Sequence, residues 1–334
     1  MTTTDLGLDE IHALAHAALS AAGADEANAD AVATTVTNAE RDRAISHGLF
    51  RIPGYVTTLK SGKVNGSADP RPENTTPVVL RCDGQNGHAP LALARCMGPL
   101  AEAARQYGVA VLSLTRSHHF AALWPETEAL ACQGLVGLTC VSYMPMVAPA
   151  GGKTALFGTN PFSFSWPRPG HNPFVFDMAT AAMAKGEVEI AARDGHKVPL
   201  GTGLDAAGEL TTDPAEIAKG VLLPFGGHKG SALAMMVELL AGPLVGETFS
   251  FQTQERDNGD GGPAQGGQFV LAMSPDILSG KDWAAQAEKF YEKLSAMDGV
   301  RLPGSRRHRN RGDAGKRAVN TVLVEKIQAL GKGS

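Results

Sequence analysis

The sequence predicts an α/β protein in which helical ends flank a mixed sheet body. Three observations carry this. Apolar residues recur at helical spacing through the first 65 residues, β-branched apolar runs begin near Pro77, and an amphipathic helix follows the last such run. The two ends are expected to pack together, giving a helical unit of residues 1–65 with 281–334 around an α/β unit of residues 66–280.

Each element has a local reason. Leu8, Ile11, Leu14, Ala15, Ala18 and Leu19 form one helical face, and Gly23 is a natural stop. Asp25 is placed to cap a second helix through Val32, Val36 and Ala39 toward Arg43. A shorter helix is expected after Ser46-His47-Gly48, through Tyr55 and Leu59 to about Gly62. Strands are expected at Val78 to Leu80, Val109 to Leu114, Leu135 to Val141 and Phe174 to Phe176. The Ala/Leu-rich segment His88 to Tyr107 suits a helix, as do Ala179 to Ala192 and Lys229 to Leu244. Gln268 to Met273 reads as a last strand, Gly259 to Gly267 as a flexible loop, and Asp282 to Leu294 as the closing amphipathic helix.

Composition excludes several classes. Of 334 residues, 43% are hydrophobic and 19% charged, which is ordinary for a folded chain and unlike a disordered one. A net charge of −4 lacks the basic face that a general nucleic-acid binder needs. One local exception runs from Arg301 to Arg317 and holds seven Arg or Lys. The four cysteines contain no C-x-x-C pair and are too sparse for a disulfide framework. A reducing cytoplasm is the simplest setting. MTTTDLGLDE lacks the basic and apolar regions of a secretory signal, and no apolar run reaches the ~18 residues of a membrane span.

The familiar cofactor fingerprints are missing. Gly201-Thr-Gly203-Leu-Asp-Ala206 is the nearest approach to G-x-G-x-x-G, but no clear strand precedes it, and it reads as a surface turn. Gly151-Gly152-Lys153-Thr154 resembles the end of a P-loop, with Val147 where the first glycine is required. His118 and His119 are adjacent, so on a regular strand they point to opposite faces and cannot ligate one metal. No metal site is expected.

Four polar clusters embedded in small residues stand out. In Ser46-His47-Gly48-Leu-Phe-Arg51 an acid/base group lies one helical turn from a carboxylate clamp. The same residues also fit a Ser cap beside an incidental His. Ser117-His118-His119-Phe120-Ala121-Ala122-Leu123-Trp124 follows a strand, where α/β proteins place ligands; two histidines satisfied by backbone partners is the alternative. Phe157-Gly158-Thr159-Asn160-Pro161 reads by itself as a turn, and Asp177-Met178-Ala179-Thr180 as a helix start. Gly226-Gly227-His228-Lys229 would suit an anion, although glycine-rich helix entries occur without one.

Together, SHG-x-x-R, SHHF, FGTNP, D-M-A-T, LPFGGHKG and the LPG-x-RR at Leu302 to Arg307 resemble the type-2 malate/L-lactate dehydrogenase family, also called sulfolactate dehydrogenase-like. They span nearly the whole chain in order. The resemblance implies a non-Rossmann fold whose mixed, largely antiparallel sheet binds NAD(P), and a homodimer with active sites near the interface. SHHFAALWP and AKGEVEIAARDG look most like the family's Δ1-piperideine-2-carboxylate/Δ1-pyrroline-2-carboxylate reductases. These use NADPH to reduce cyclic imine carboxylates to L-pipecolate or L-proline.

Carried over by position, the resemblance makes His47 the proton donor, supported by Ser46 and Glu187. Reductases of the family carry Asp at the latter position, and malate-type members tend to carry Lys. Arg51 and Thr159 would bind substrate. His119, Phe120, Ala121, Ala122, Leu123, Asp177, Met178, Ala179, His228 and Lys229 would line the cofactor. Arg306 and Arg307 would meet its 2′-phosphate, whereas Arg309 to Arg317 reads as a solvated basic tail. The alternative on the same fold is an NAD(P)-dependent 2-hydroxy acid dehydrogenase of malate, lactate, sulfolactate or ureidoglycolate type.

Overall fold

The computed structural model describes residues 2–119 and 121–332. The chain opens with β1 (Thr3–Leu6), α1 (Leu8–Ala21) and α2 (Glu26–Arg41). Ile11, Ala15, Ala18 and Leu19 are buried, and the Asp25 carboxylate caps α2 by accepting from the Asn28 N–H at 2.9 Å. Two short 3-10 turns, Ile45–His47 and Leu49–Arg51, then lead into α3 (Ile52–Lys60). Next come β2 (Pro72–Thr76), β3 (Val79–Asp83), α4 (Ala89–Tyr107), β4 (Val109–His118), α5 (Trp124–Ala131), β5 (Val136–Val141), β6 (Phe162–Trp166) and β7 (Phe174–Met178).

After α6 (Lys185–Asp194) the chain makes an excursion through β8 (Gly203–Leu204), β9 (Leu210–Thr211), α7 (Pro214–Ile217) and β10 (Val221–Leu222). It returns through α8 (His228–Ala241), α9 (Ser250–Arg256) and β11 (Gln265–Met273). It ends with α10 (Pro275–Ser279), α11 (Trp283–Ser295), α12 (Ser305–Arg311), β12 (Arg317–Asn320) and α13 (Thr321–Gly331).

The main sheet has the order β2-β3-β4-β11-β5-β6-β7. Only β3 and β4 run parallel; every other neighbouring pair is antiparallel. The sheet is therefore mixed and largely antiparallel, unlike a doubly wound dinucleotide-binding sheet, which is built from parallel crossovers. Its centre is apolar, with Leu112 and Leu114 of β4 and Val270 and Ala272 of β11 buried under Leu93, Cys96 and Leu100 of α4. β1 and β12 pair antiparallel and bring the two ends together. Val319, Val324 and Ile327 join the core of α1, α2 and α3. α11 packs on the edge of β6 and β7, where Trp283 meets Trp166 and Tyr291 meets Phe174.

Three sequence expectations are corrected. The helix expected from Ala179 begins only at Lys185, because earlier backbone N–H groups bond elsewhere: Thr180 to Thr159 O and Ala182 to Leu223 O. The loop expected through Gly267 ends sooner, since Gln265 already pairs with His118 across β11 and β4. The Arg309 to Arg317 segment is not a solvated tail. Arg311 bridges Asp42 and Glu128, and Arg317 is buried, donating to the carbonyls of Glu40, Arg41 and Asp313.

Candidate active site

A cavity of about 870 Å³ opens between the 3-10 turns before α3, the starts of α5 and α6, the end of β7, and α12. Twelve of the residues singled out in the sequence line it: Ser46, His47, Arg51, His119, Ala121, Thr159, Asp177, Met178, Ala179, Glu187, Arg306 and Arg307. Ala122 and Leu123 are buried and do not line it. His228 and Lys229, at the start of α8, are exposed and also stand outside the lining. Phe120 lies outside the described residues.

The Ser46 to Arg51 cluster is shaped by its backbone. The Glu40 carboxylate accepts the Leu49 N–H at 2.8 Å and so fixes the second turn. Ser46 Oγ lies 3.1 Å from His47 Nδ1, and Arg51 Nε donates to the Ser46 carbonyl at 2.7 Å. Gly186, in the first turn of α6, lets that helix approach: a Cβ there would stand 2.6 Å from an Arg51 terminal nitrogen. Burial, then the charge of Arg51, then that of His119, push the His47 imidazole down to about 3, so it is neutral at neutral pH. Glu187 lines the same cavity from an exposed position on α6 and is not among the groups that shift His47.

The two adjacent histidines have different fates. His118 Nδ1 meets the Pro263 carbonyl at 3.0 Å, whereas His119 faces the cavity with a buried Nε2 that has no partner among the described residues. Beyond them, Asp177 at the end of β7 holds the start of α5, its Oδ2 accepting the N–H groups of Leu123 at 2.7 Å and Trp124 at 3.0 Å. Asp177 is thus a strand residue and not the helix start its sequence suggested. Trp124 presents an edge-on contact to His47, with ring centres 6.4 Å apart, and carries Arg307 over its face at 4.9 Å.

Thr159 owes its place to Asn160. Asn160 has a φ of +43° and is fully buried, its amide donating to Glu238 Oε1 at 2.8 Å and to the Ala234 carbonyl at 3.1 Å. Asparagine tolerates this left-handed geometry, and Thr159 then accepts the Thr180 N–H and hydroxyl. α12 is set by Arg311 between Asp42 and Glu128, which leaves Arg306 exposed at the rim and Arg307 half-buried.

The sequence did not single out Tyr143 or Met146 as cavity residues, nor Glu238 as the buried anchor of the Thr159 turn. None forms part of a short motif that would mark it. The lining fits a nicotinamide dinucleotide. Cations stand at the rim, and the orphan nitrogens of His119 and Arg307 offer hydrogen-bonding capacity that the described chain does not use. Among the described residues no cluster of three or more His, Cys, Asp or Glu could hold a metal ion, and no helix is long and apolar enough to cross a membrane.

The family model for malate/L-lactate dehydrogenase matches residues 6–328. The chain is 45% identical over 331 residues to a Δ1-pyrroline-2-carboxylate reductase of Ancylobacter novellus, covering 98% of this chain and 97% of that one. It is 44% identical to a Δ1-pyrroline-2-carboxylate/Δ1-piperideine-2-carboxylate reductase of Pseudomonas putida, covering 98% and 96%. The crystal structure of Δ1-piperideine-2-carboxylate reductase from Pseudomonas syringae pv. tomato superposes with a TM-score of 0.93 at 42% identity, covering 98% of this chain and all of that one.

Proposed function

Because the chain belongs to the malate/L-lactate dehydrogenase family, we propose that it is an NADPH-dependent reductase of cyclic imine carboxylates, acting on Δ1-piperideine-2-carboxylate and Δ1-pyrroline-2-carboxylate. The observation that carries this is the meeting of His47 and Arg51 in one cavity. A guanidinium is the natural seat for a carboxylate, and an imidazole beside it can handle the proton that a reduced C=N bond requires.

A reduced nicotinamide, when bound, supplies the hydride to the imine carbon. Arg51 seats the substrate carboxylate, with Thr159 as a second contact, and this fixes which carbon faces the hydride donor. His119, Asp177 to Ala179 and the start of α5 form the cofactor side of the wall. His47 is neutral while Arg51 is the nearest charge. A carboxylate on Arg51 cancels that cation and raises the proton affinity of His47, so seating the substrate and loading the proton are coupled. The proton then passes to the imine nitrogen as the carbon accepts hydride, leaving a secondary amine. Ser46, 3.1 Å from Nδ1, orients the ring, and Glu187 adds negative charge on the same wall. We take the active unit to be a homodimer.

The direct test is NADPH consumption with both imines beside pyruvate and oxaloacetate, with NADH as control. Turnover of the imines is the expected result; turnover of a 2-oxo acid alone would move the protein to the hydroxy-acid dehydrogenases. Arg306→Ala is expected to raise KM for NADPH about tenfold and to leave NADH kinetics within about twofold, since a charge-assisted contact is worth ~1.5–3 kcal/mol. An equal effect on both cofactors would remove Arg306 from the 2′-phosphate site.

A further inference from the structure

Glu126 stands in the first turn of α5, two residues after the cavity-lining Trp124. Its Oε2 is buried and has no hydrogen-bond partner among the described residues. Its neighbour Asp177 faces the cavity and accepts the Leu123 and Trp124 N–H groups from the same turn. Two enclosed carboxyls are costly to ionise together, and their surroundings separate their roles. Burial leaves Asp177 raised above its ordinary value, although the two N–H groups and Arg307 oppose it. Burial pushes Glu126 up to about 8, opposed by its own backbone N–H and reinforced by the Asp177 charge.

The other charges packed around this turn are already engaged. Glu128, buried on α5, pairs with Arg311 at 2.7 Å and lies 3.4 Å from His308. Asp42 pairs with Arg311 at 2.6 Å and with Arg41 at 2.9 Å. Arg307 lies over Trp124 and donates to the Val175 carbonyl at 3.1 Å. His47, edge-on to Trp124, is held neutral by burial and by Arg51, and His119 by burial.

We propose that Glu126 must stay uncharged at the start of α5, acting on the cavity through Asp177, and that a negative charge there loosens the wall built by Asp177, Trp124 and Arg307. With Glu126 uncharged, Asp177 and Arg307 balance each other in a site of low dielectric. A second negative charge repels Asp177 and weakens its hold on the start of α5. The disturbance reaches the cavity through Trp124, which touches both Arg307 and His47. The inference rests on the reading of this cavity as a nicotinamide site, so its readout is cofactor binding and not turnover.

The experiment is NADPH binding to the whole protein, followed by nicotinamide fluorescence from about pH 6.5 to about pH 9.5. In the unaltered protein Kd is expected to stay level up to about 8 and then to rise by up to about tenfold per pH unit. Glu126→Gln and Glu126→Met, both uncharged, should bind within about threefold of the unaltered protein near neutrality and lose the alkaline rise. An alkaline rise that survives in both variants, or its absence from the unaltered protein, would overturn the proposal. So would failure of both variants to fold at neutral pH, where an uncharged side chain should suffice. If NADPH bound at no pH, the functional reading would fail instead, and thermal unfolding would decide Glu126. A carboxyl raised from 4.5 to about 8 makes the unaltered protein lose stability relative to Glu126→Gln as pH rises across that window, and no further above it. Parallel stability curves would then overturn the role of Glu126.

Discussion

His47→Ala is expected to reduce kcat with Δ1-piperideine-2-carboxylate by about 10²- to 10⁴-fold, the usual contribution of a placed general acid, while leaving the Kd for NADPH within about threefold. The pH profile separates this role from simple packing. kcat/KM reports the free enzyme, in which His47 is pushed from 6.5 down to about 3. The unaltered protein should therefore show no inflection near 6.5 that disappears in the variant. Because a seated carboxylate draws a proton onto His47, KM for the imine should rise as pH rises, and this slope should vanish in His47→Ala. A kcat close to that of the unaltered protein would remove His47 from the chemistry. An inflection near 6.5 abolished by the variant would mean that Arg51 and His119 do not control the imidazole as the geometry requires.

The second large effect is at Arg51. Arg51→Met is expected to lower kcat/KM for the imine carboxylate by about 10- to 100-fold, following the ~1.5–3 kcal/mol of a hydrogen bond to a charged group. It should also raise the His47 proton affinity, because one of the charges that depress it is gone. The residual activity should thus regain a titration closer to the ordinary histidine range. Arg51→Lys should recover only part of the loss, since an ammonium keeps the charge but not the planar fork. Steady-state kinetics of both variants across pH provide the check. If Lys restored full kcat/KM, the carboxylate would be seated by charge alone.

The catalytic cluster was legible because it is local. Ser46, His47 and Arg51 lie within two adjacent turns, and the spacing that drew attention to them is the spacing that brings the Arg51 guanidinium back to the Ser46 carbonyl. Other predicted cavity residues, among them His119, Thr159 and Asp177, were found the same way, as short polar motifs among small residues. Sequence resemblance placed His228 and Lys229 with the cofactor, yet they stand exposed at the start of α8 and outside the cavity lining. Asp177 was found for its motif, but its structural task was not legible, since it caps a helix 54 residues earlier in the chain.

The sequence by itself determined the alternation of helices and strands, the absence of a Rossmann fingerprint, and the family through motifs that run in order along the chain. Those are properties of neighbours in sequence: apolar period, capping residues and turn chemistry. Tertiary structure alone decided which of two adjacent histidines faces the cavity, where α6 begins, and that Arg311 and Arg317 are engaged inside the fold and not solvated. It also decided that burial pushes the His47 imidazole down and the Glu126 carboxyl up. The physical reason is common to all of these. Burial and charge at a side chain depend on partners drawn from distant segments, and no local pattern records which segments will meet.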